Sequence, residues 1–318
     1  MGRIPTEDDM QTPRYAVNGW STPHNTAIED IEQVARTGGQ AVGLRESDMA
    51  DGEDERLLEA MAEHGLAASF FVPRTWTILP VPFNVPGMER DPRARTELLC
   101  QSIERLAKFQ PAAIIVGPGV TGVPDERAGP VEAVAEGVAQ AADVAAEHGL
   151  LITFELLAQR RGATHHTLPE AVAFLDELGR DNVGVMFDTW HSWCEPGVHD
   201  SLRQYGSRIN GVHVNDVRPI ERSNFDRVLP GEGRRVAAPL VASLIEGGYD
   251  GWWELEVFSD DGTFGNEFSD SLWKLPHEEL LSRAKASFDG VWADALAIVD
   301  ARARERAEGG IDGAEGKA

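Results

Sequence analysis

From Tyr15 to Phe258 the chain alternates short apolar runs with longer stretches of helical periodicity, and this rhythm recurs about eight times. The runs are YAVNGW, AVGLRE, AASFFV, AAIIVG, LLITFEL, VGVMFD, INGVHV and WWELEVF, with the length and the β-branched and aromatic content of buried strands. Between them lie TAIEDIEQVARTGG, EDERLLEAMAEHG, RARTELLCQSIERLAKF, VEAVAEGVAQAADVAAEHG, TLPEAVAFLDELG, HDSLRQYGSR and APLVASLIEGG, apolar at three- and four-residue spacing. Glycines at 39, 65, 149, 179 and 248 stand where helices close. Strands separated by helices pair in parallel through right-handed crossovers, in an open doubly wound sheet or a closed barrel. Eight units, with no Gly-x-Gly-x-x-Gly after the first strand, predict a closed (β/α)8 barrel of the α/β class. A length of 318 residues suits one such domain, expected over 14–306. Residues 1–13 and the tail 307–318, polar or rich in Gly, Glu and Ala, are expected to be disordered.

A net charge of −24 argues against nucleic-acid or anionic-membrane partners, which reward clustered positive charge. Two cysteines, Cys100 and Cys194, are too few for a disulfide framework or a thiolate metal cage. The N-terminus lacks the apolar run of a signal peptide, and no stretch of about 18 apolar residues spans a bilayer, so a cytoplasmic protein is expected.

Four of the predicted strands carry an ionisable residue near the C-terminal end, where barrels of this kind build their sites: Glu155, Asp188, His213 and Glu256. Three carboxylates crowded into one cavity repel unless a cation holds them. Oxygen-rich ligation with one imidazole and no thiolate suits Mn²⁺ first, with Mg²⁺, Co²⁺ or Zn²⁺ as alternatives. Glu254 points to the same side of its strand as Glu256. It is expected one layer lower with a hydrogen-bonded partner, or, with the register shifted, as the ligand itself. His191, three residues past Asp188, is placed to face a substrate, and His165 and His166 lie in a loop that also reaches the strand ends. Asn215 and Asp216 are either orienting groups for His213 or turn residues.

Two long loops, RTWTILPVPFNVPGMERDP and RPIERSNFDRVLPGEGRRVA, project from the same face. In the second, Arg218 and Arg227 are candidates to hold a substrate oxyanion or phosphate, or to form salt bridges. Trp20, Trp76, Trp190 and Trp193 fall at or past strand ends, as pocket walls or as packing. No Lys/Arg cluster at a helix start marks a phosphate cradle, which favours a free sugar or glycoside. The segment DSLWKLPHEELLSRAKASFDGVW packs either on the barrel or on a partner.

The series ITFELL, VGVMFDTWHSW, GVHVNDVR, DRVLPGEG and YDGWWELEVF resembles the sugar phosphate isomerase/epimerase family, the xylose isomerase-like TIM barrels. The likeness is strongest from Glu155 onward, and the early strands match only in rhythm. It implies a single-domain TIM barrel with one divalent metal held by Glu155, Asp188, His213 and Glu256. It further implies Glu155 and Glu256 as the proton-moving pair and His191 as a substrate contact. The reaction implied is sugar isomerisation or epimerisation by proton abstraction next to a carbonyl, through a metal-stabilised enediolate. Lyases of the same family, inosose dehydratases and the catalytic subunit of C-glycoside deglycosidases, are the alternative. A non-catalytic sugar-binding barrel is the alternative of another class, and an endonuclease IV-like reading conflicts with the charge. The family also implies a homo-oligomer, with a second subunit type as a variant.

Overall fold

The computed structural model describes residues 12–81, 87–120, 131–158 and 164–312, with side chains to residue 308. The strands are β1 Tyr15–Asn18, β2 Ala41–Gly43, β3 Ala67–Ala68, β4 Phe70–Phe71, β5 Ala113–Val116, β6 Ile152–Glu155, β7 Val183–Asp188, β8 Ile209–Val214, β9 Asp216–Val217, β10 Arg227–Val228 and β11 Trp253–Leu255. The helices are α1 Ala27–Arg36, α2 Asp54–His64, α3 Pro92–Leu106, α4 Val131–Glu147, α5 Leu168–Leu178, α6 Thr189–Ser192, α7 Val198–Tyr205, α8 Ala237–Glu246 and α9 His277–Asp312.

Each apolar run became a strand because it buries both faces, one against the helices and one against the barrel axis; β5, β6 and β7 are buried at every residue. Two of the helices, α1 and α5, begin where paired side chains satisfy the exposed backbone donors. Thr26 with Glu29 opens α1, and Thr167 with Glu170 opens α5, as reciprocal capping pairs. The α5 helix ends on Gly179 at φ 63°, a left-handed turn that a side chain resists.

The parallel sheet runs β3-β2-β1-β11-β8-β7-β6-β5-β4. Its two ends are one segment, interrupted at Ser69. The Ser69 N–H donates to Val42 O at 3.1 Å on one side, and the Ala112 N–H donates to Ala68 O at 3.1 Å on the other. The ring therefore closes, and the nine pieces amount to an eight-stranded barrel with its third strand in two parts. An antiparallel pair, β9 with β10, adds a hairpin inside the long loop after β8, where no strand was expected.

The C-terminal segment packs on this barrel. Trp273 is buried and donates its indole N–H to Val257 O at 3.1 Å, while Trp292 meets Trp253 edge-on at 5.3 Å between ring centres. Helix α9 continues to Asp312, past the boundary expected at 306. Most of the segment expected to be disordered at the N-terminus lies outside the described residues. Among the described residues no helix is long and apolar enough to cross a membrane.

Candidate metal centre and active site

Register explains how four strands deliver four side chains to one point. Asp188 pairs with His213, and His213 with Glu254, so these three share a row, whereas Glu155 pairs with Met186, one pleat earlier. Glu256 lies one pleat beyond. The four residues expected at equal depth along their strands are thus staggered in hydrogen-bond register, and the tilt of barrel strands brings them to one height along the axis. A bulge between Val185 and Met186 sets the β7–β8 register that puts Asp188 beside His213. One donor atom from each of Glu155, Asp188, His213 and Glu256 lies within 4.8 Å of all the others, and all four side chains are buried.

The His213 ring sits between two groups of carboxylates. Its Nδ1 faces Glu155 Oε1 at 3.4 Å, Glu256 Oε2 at 3.4 Å and Asp188 Oδ2 at 3.9 Å, and makes no hydrogen bond among the described residues. Its Nε2 meets Glu254 Oε2 at 2.9 Å. A fully buried imidazole nitrogen without a partner, ringed by three carboxylates, is the donor set a hard or borderline divalent cation takes. The residues fit such an ion. Burial opposes a charge on His213, but Glu256, Glu155 and Glu254 outweigh it and hold its pKa well above the ordinary histidine value. Burial raises Glu155, reinforced by Glu256 and only partly offset by His213. Glu256 is also pushed up by burial, yet His213 and Arg227 bring it down to about 2.

The Arg227 guanidinium, itself buried, supplies the second cation. Its Nη1 donates to Asp188 Oδ2 at 2.7 Å and to Glu256 Oε2 at 2.8 Å. The group lies between the rings of Phe258 and Trp190, 4.7 and 5.0 Å from their centres. The other Asp188 oxygen accepts from the Trp190 N–H at 2.7 Å and from Asn215 Nδ2 at 3.0 Å. Asn215 therefore orients Asp188 rather than His213. Asp216 accepts from the Gly231 N–H and so ties down the Pro-Gly turn. His191 accepts the Ala158 N–H at Nδ1, 3.1 Å, which leaves the ring proton of the neutral form on Nε2, 3.4 Å from Arg227 Nη2.

The cavity above these groups has one polar side, Glu155, Glu256, His191 and Arg227, and is otherwise lined by Trp20, Val72, Trp76, Ile115, Leu157, Phe225, Phe258 and Phe264. Trp20 and Trp76 thus stand at the cavity as wall residues. Arg218 does not reach it: its guanidinium pairs with Asp226 at 2.6 Å and Asp270 at 3.2 Å, the salt-bridge alternative. Trp190 packs beneath Arg227, and Trp193 stacks with Arg234 at 5.0 Å. His165 is turned away, buried 4.4 Å from the Phe174 ring and 5.5 Å from that of Phe154, and His166 lies beside Glu170 at the start of α5. Phe225, Phe258 and Phe264 were not anticipated. Phe225 and Phe264 stack at 4.0 Å, and Asp260 fixes the second of them by accepting the Phe264 N–H at 2.8 Å.

A family model described as xylose isomerase-like TIM barrel matches residues 31–286. An inosose isomerase of Bacillus velezensis is 26% identical over 290 residues, covering 87% of this chain and 96% of that protein. A D-psicose 3-epimerase of Enterocloster bolteae is 29% identical over 150 residues, covering 46% of this chain and 47% of that protein. Among solved structures, D-psicose 3-epimerase with D-tagatose from Clostridium cellulolyticum superposes with a TM-score of 0.71 at 22% identity, over 89% of this chain and 99% of that one. The IOLI protein with a binding zinc atom gives 0.70 at 20% identity, over 89% and 99%. The two structural matches establish the shared fold.

Proposed function

The chain belongs to the xylose isomerase-like TIM barrel family, and on that premise we propose that it is a divalent-metal-dependent sugar isomerase or epimerase that moves a proton next to a carbonyl. The observation that carries the reading is the unpartnered Nδ1 of His213 among Glu155, Asp188 and Glu256. A divalent cation held by these four residues supplies Lewis-acid chemistry, which acidifies the C–H beside a carbonyl; Mn²⁺ is our first choice, with Mg²⁺, Co²⁺ and Zn²⁺ as alternatives.

The remaining work falls to the chain. Glu155 and Glu256 border the cavity together, so one carboxylate removes the proton and either returns it. The Nε2–H of His191 and Nη2 of Arg227 are two donors that converge on one substrate oxygen and hold it in register for that transfer. The apolar remainder of the cavity excludes water.

A second reading, a lyase acting on a keto-glycoside, is favoured by the wall of Trp20, Phe225, Phe258 and Phe264, which gives a bulky apolar substituent a place to lie. Related inosose dehydratases, such as that of Klebsiella pneumoniae, 30% identical over 147 residues, carry a lyase name.

Metal content is the first test, by elemental analysis of protein purified without chelator and of Glu256→Gln and Asp188→Asn. About one ion per chain in the wild type and its loss in both variants supports the centre. Wild-type protein that takes up no added Mn²⁺ sinks it. With metal established, ketoses and keto-glycosides in deuterium oxide separate the chemistries: an isomerase exchanges one C–H and otherwise conserves mass, whereas a lyase releases an unsaturated product or an aglycone.

A further inference from the structure

We propose that Glu254 is a positioning residue that holds the His213 imidazole with Nδ1 turned to the metal, an inference that rests on the metal-centre reading above. Glu254 is fully buried in the barrel interior, in the same row as His213 and one pleat below Glu256. Four donors converge on its carboxylate. Asn18 Nδ2 at 2.8 Å and His213 Nε2 at 2.9 Å meet Oε2, while Ser69 Oγ at 2.5 Å and the Phe70 N–H at 3.3 Å meet Oε1.

These donors come from β1, from β8 and from the break in the third strand, and β2 contributes a space. A Cβ at Gly43 would overlap both Glu254 Oε1 and Phe70 O, so β2 carries a residue without a side chain where the carboxylate lies. A buried carboxylate is costly even when hydrogen-bonded. Here the barrel gives it a dedicated niche, and His213 is the one of its four partners that also faces the metal cluster.

Glu254 is not a ligand to the same ion. It meets the ring at Nε2, while Glu155, Asp188 and Glu256 meet it at Nδ1, and the two nitrogens point apart. A carboxylate that accepts the Nε2–H fixes the tautomer and leaves the Nδ1 lone pair for the cation. This also assigns the layer below the site a function: it sets which nitrogen the ion sees.

The test reads Zn²⁺ affinity by chelator competition and the hydrogen bond at His213 Nε2–H by ¹⁵N-histidine NMR. Glu254→Ala is expected to lower Zn²⁺ affinity by about 10- to 100-fold and to move the His213 Nε2–H resonance upfield, as loss of its hydrogen bond to the carboxylate does. Glu254→Gln keeps an amide oxygen that accepts from Nε2 and is expected to recover much of that loss. Glu254→Ala also strips three other buried donors of their acceptor, so Gly43→Ala serves as the second variant. It keeps the glutamate but presses on its carboxylate and on Phe70 O, and in protein that retains native near-UV dichroism it is expected to weaken Zn²⁺ binding. Folded Glu254→Ala and Gly43→Ala with wild-type affinity and an unmoved Nε2 proton would overturn the assignment. A wild type that binds no Zn²⁺ overturns the metal reading alone. The metal-free spectrum then decides the present one: an Nε2–H resonance shifted on Glu254→Ala, as its hydrogen bond is lost, upholds it, and an unchanged spectrum overturns it.

Discussion

Two buried carboxylates, Glu256 on the charged side of the barrel mouth and Asp30 behind its aromatic wall, sit in equally dry surroundings and behave in opposite ways. Burial pushes both upward. Glu256 is nonetheless brought to about 2 by His213 and Arg227, whereas Asp30 rises to about 7, with hydrogen bonds from Thr22 and Asn25 and a more distant Arg45 only limiting the rise. Asp30 Oδ1 accepts from Thr22 Oγ1 at 2.6 Å and Asn25 Nδ2 at 2.9 Å, while its Oδ2 makes no hydrogen bond among the described residues. The difference teaches that a cation at bonding distance, not the degree of burial, separates these two carboxylates. Strands β6 to β11 and the β9–β10 hairpin supply the charges and countercharges. The loop after β1 packs Gly19 against Asp30 and sets Trp20 in the cavity wall, and its nearby cation, Arg45, lies over the Trp20 ring at 4.2 Å and donates to Pro23 O rather than to Asp30.

Removing the countercharge is the strongest way to break this contrast. Arg227→Met leaves Asp188 and Glu256 buried together without their shared guanidinium, and is expected to cost about 3–5 kcal/mol in metal-free protein. Urea unfolding with and without Mn²⁺ reads this, and the ion should restore part of the loss because it neutralises the same oxygens. A loss under about 1 kcal/mol would show that the pair is not what holds Glu256 ionised.

Asp30→Asn sharpens the other side. A carboxylate with a raised folded pKa weakens the fold only when it must ionise. The penalty is therefore absent below the unfolded value near 3.8, grows as pH rises toward about 7, and is complete above it. Asparagine keeps the Oδ1-type acceptor and cannot ionise, so it should stabilise by on the order of 2 kcal/mol at pH 8 and by nothing measurable at pH 4. Thermal unfolding at the two pH values checks this, and an equal gain at both would contradict the account. The smallest effect is expected at Arg218. Its partner Asp226 keeps Arg222, whose Nε and Nη2 donate at 2.6 and 2.9 Å, so Arg218→Ala should change stability by less than about 1 kcal/mol and turnover by less than about twofold.

Asp188 and His213 were legible because a short apolar run ending in an ionisable group is a local signal, and strand parity placed Glu254 and Glu256 on one side. Which of the two loop arginines turns inward was not legible. That is settled by the two-residue pairing of Arg227 and Val228 with β9, a long-range contact with no signature in the loop itself. The stagger of the four strand ends was hidden too, because it follows from strand tilt and the extra residue, Asn210, that shifts β8 against β7. His165 reads as a polar-loop residue until Phe154 and Phe174, distant in sequence, are seen to enclose it. For Phe264 the one available hint was DDGTFG, a turn that presents a single aromatic residue.

The pairing of Tyr15 with Trp253 joins the first strand to the last. In a chain synthesised from its N-terminus, β1 emerges early and keeps one edge open until β11 arrives, so the contact between Asn18 and Glu254 is among the slowest to form. Every earlier intermediate lacks both Glu254 and Glu256. The cluster of Glu155, Asp188, His213 and Glu256 is therefore complete only once the ring has closed, and a fragment truncated before Trp253 can be ordered in its early units yet lacks Glu256.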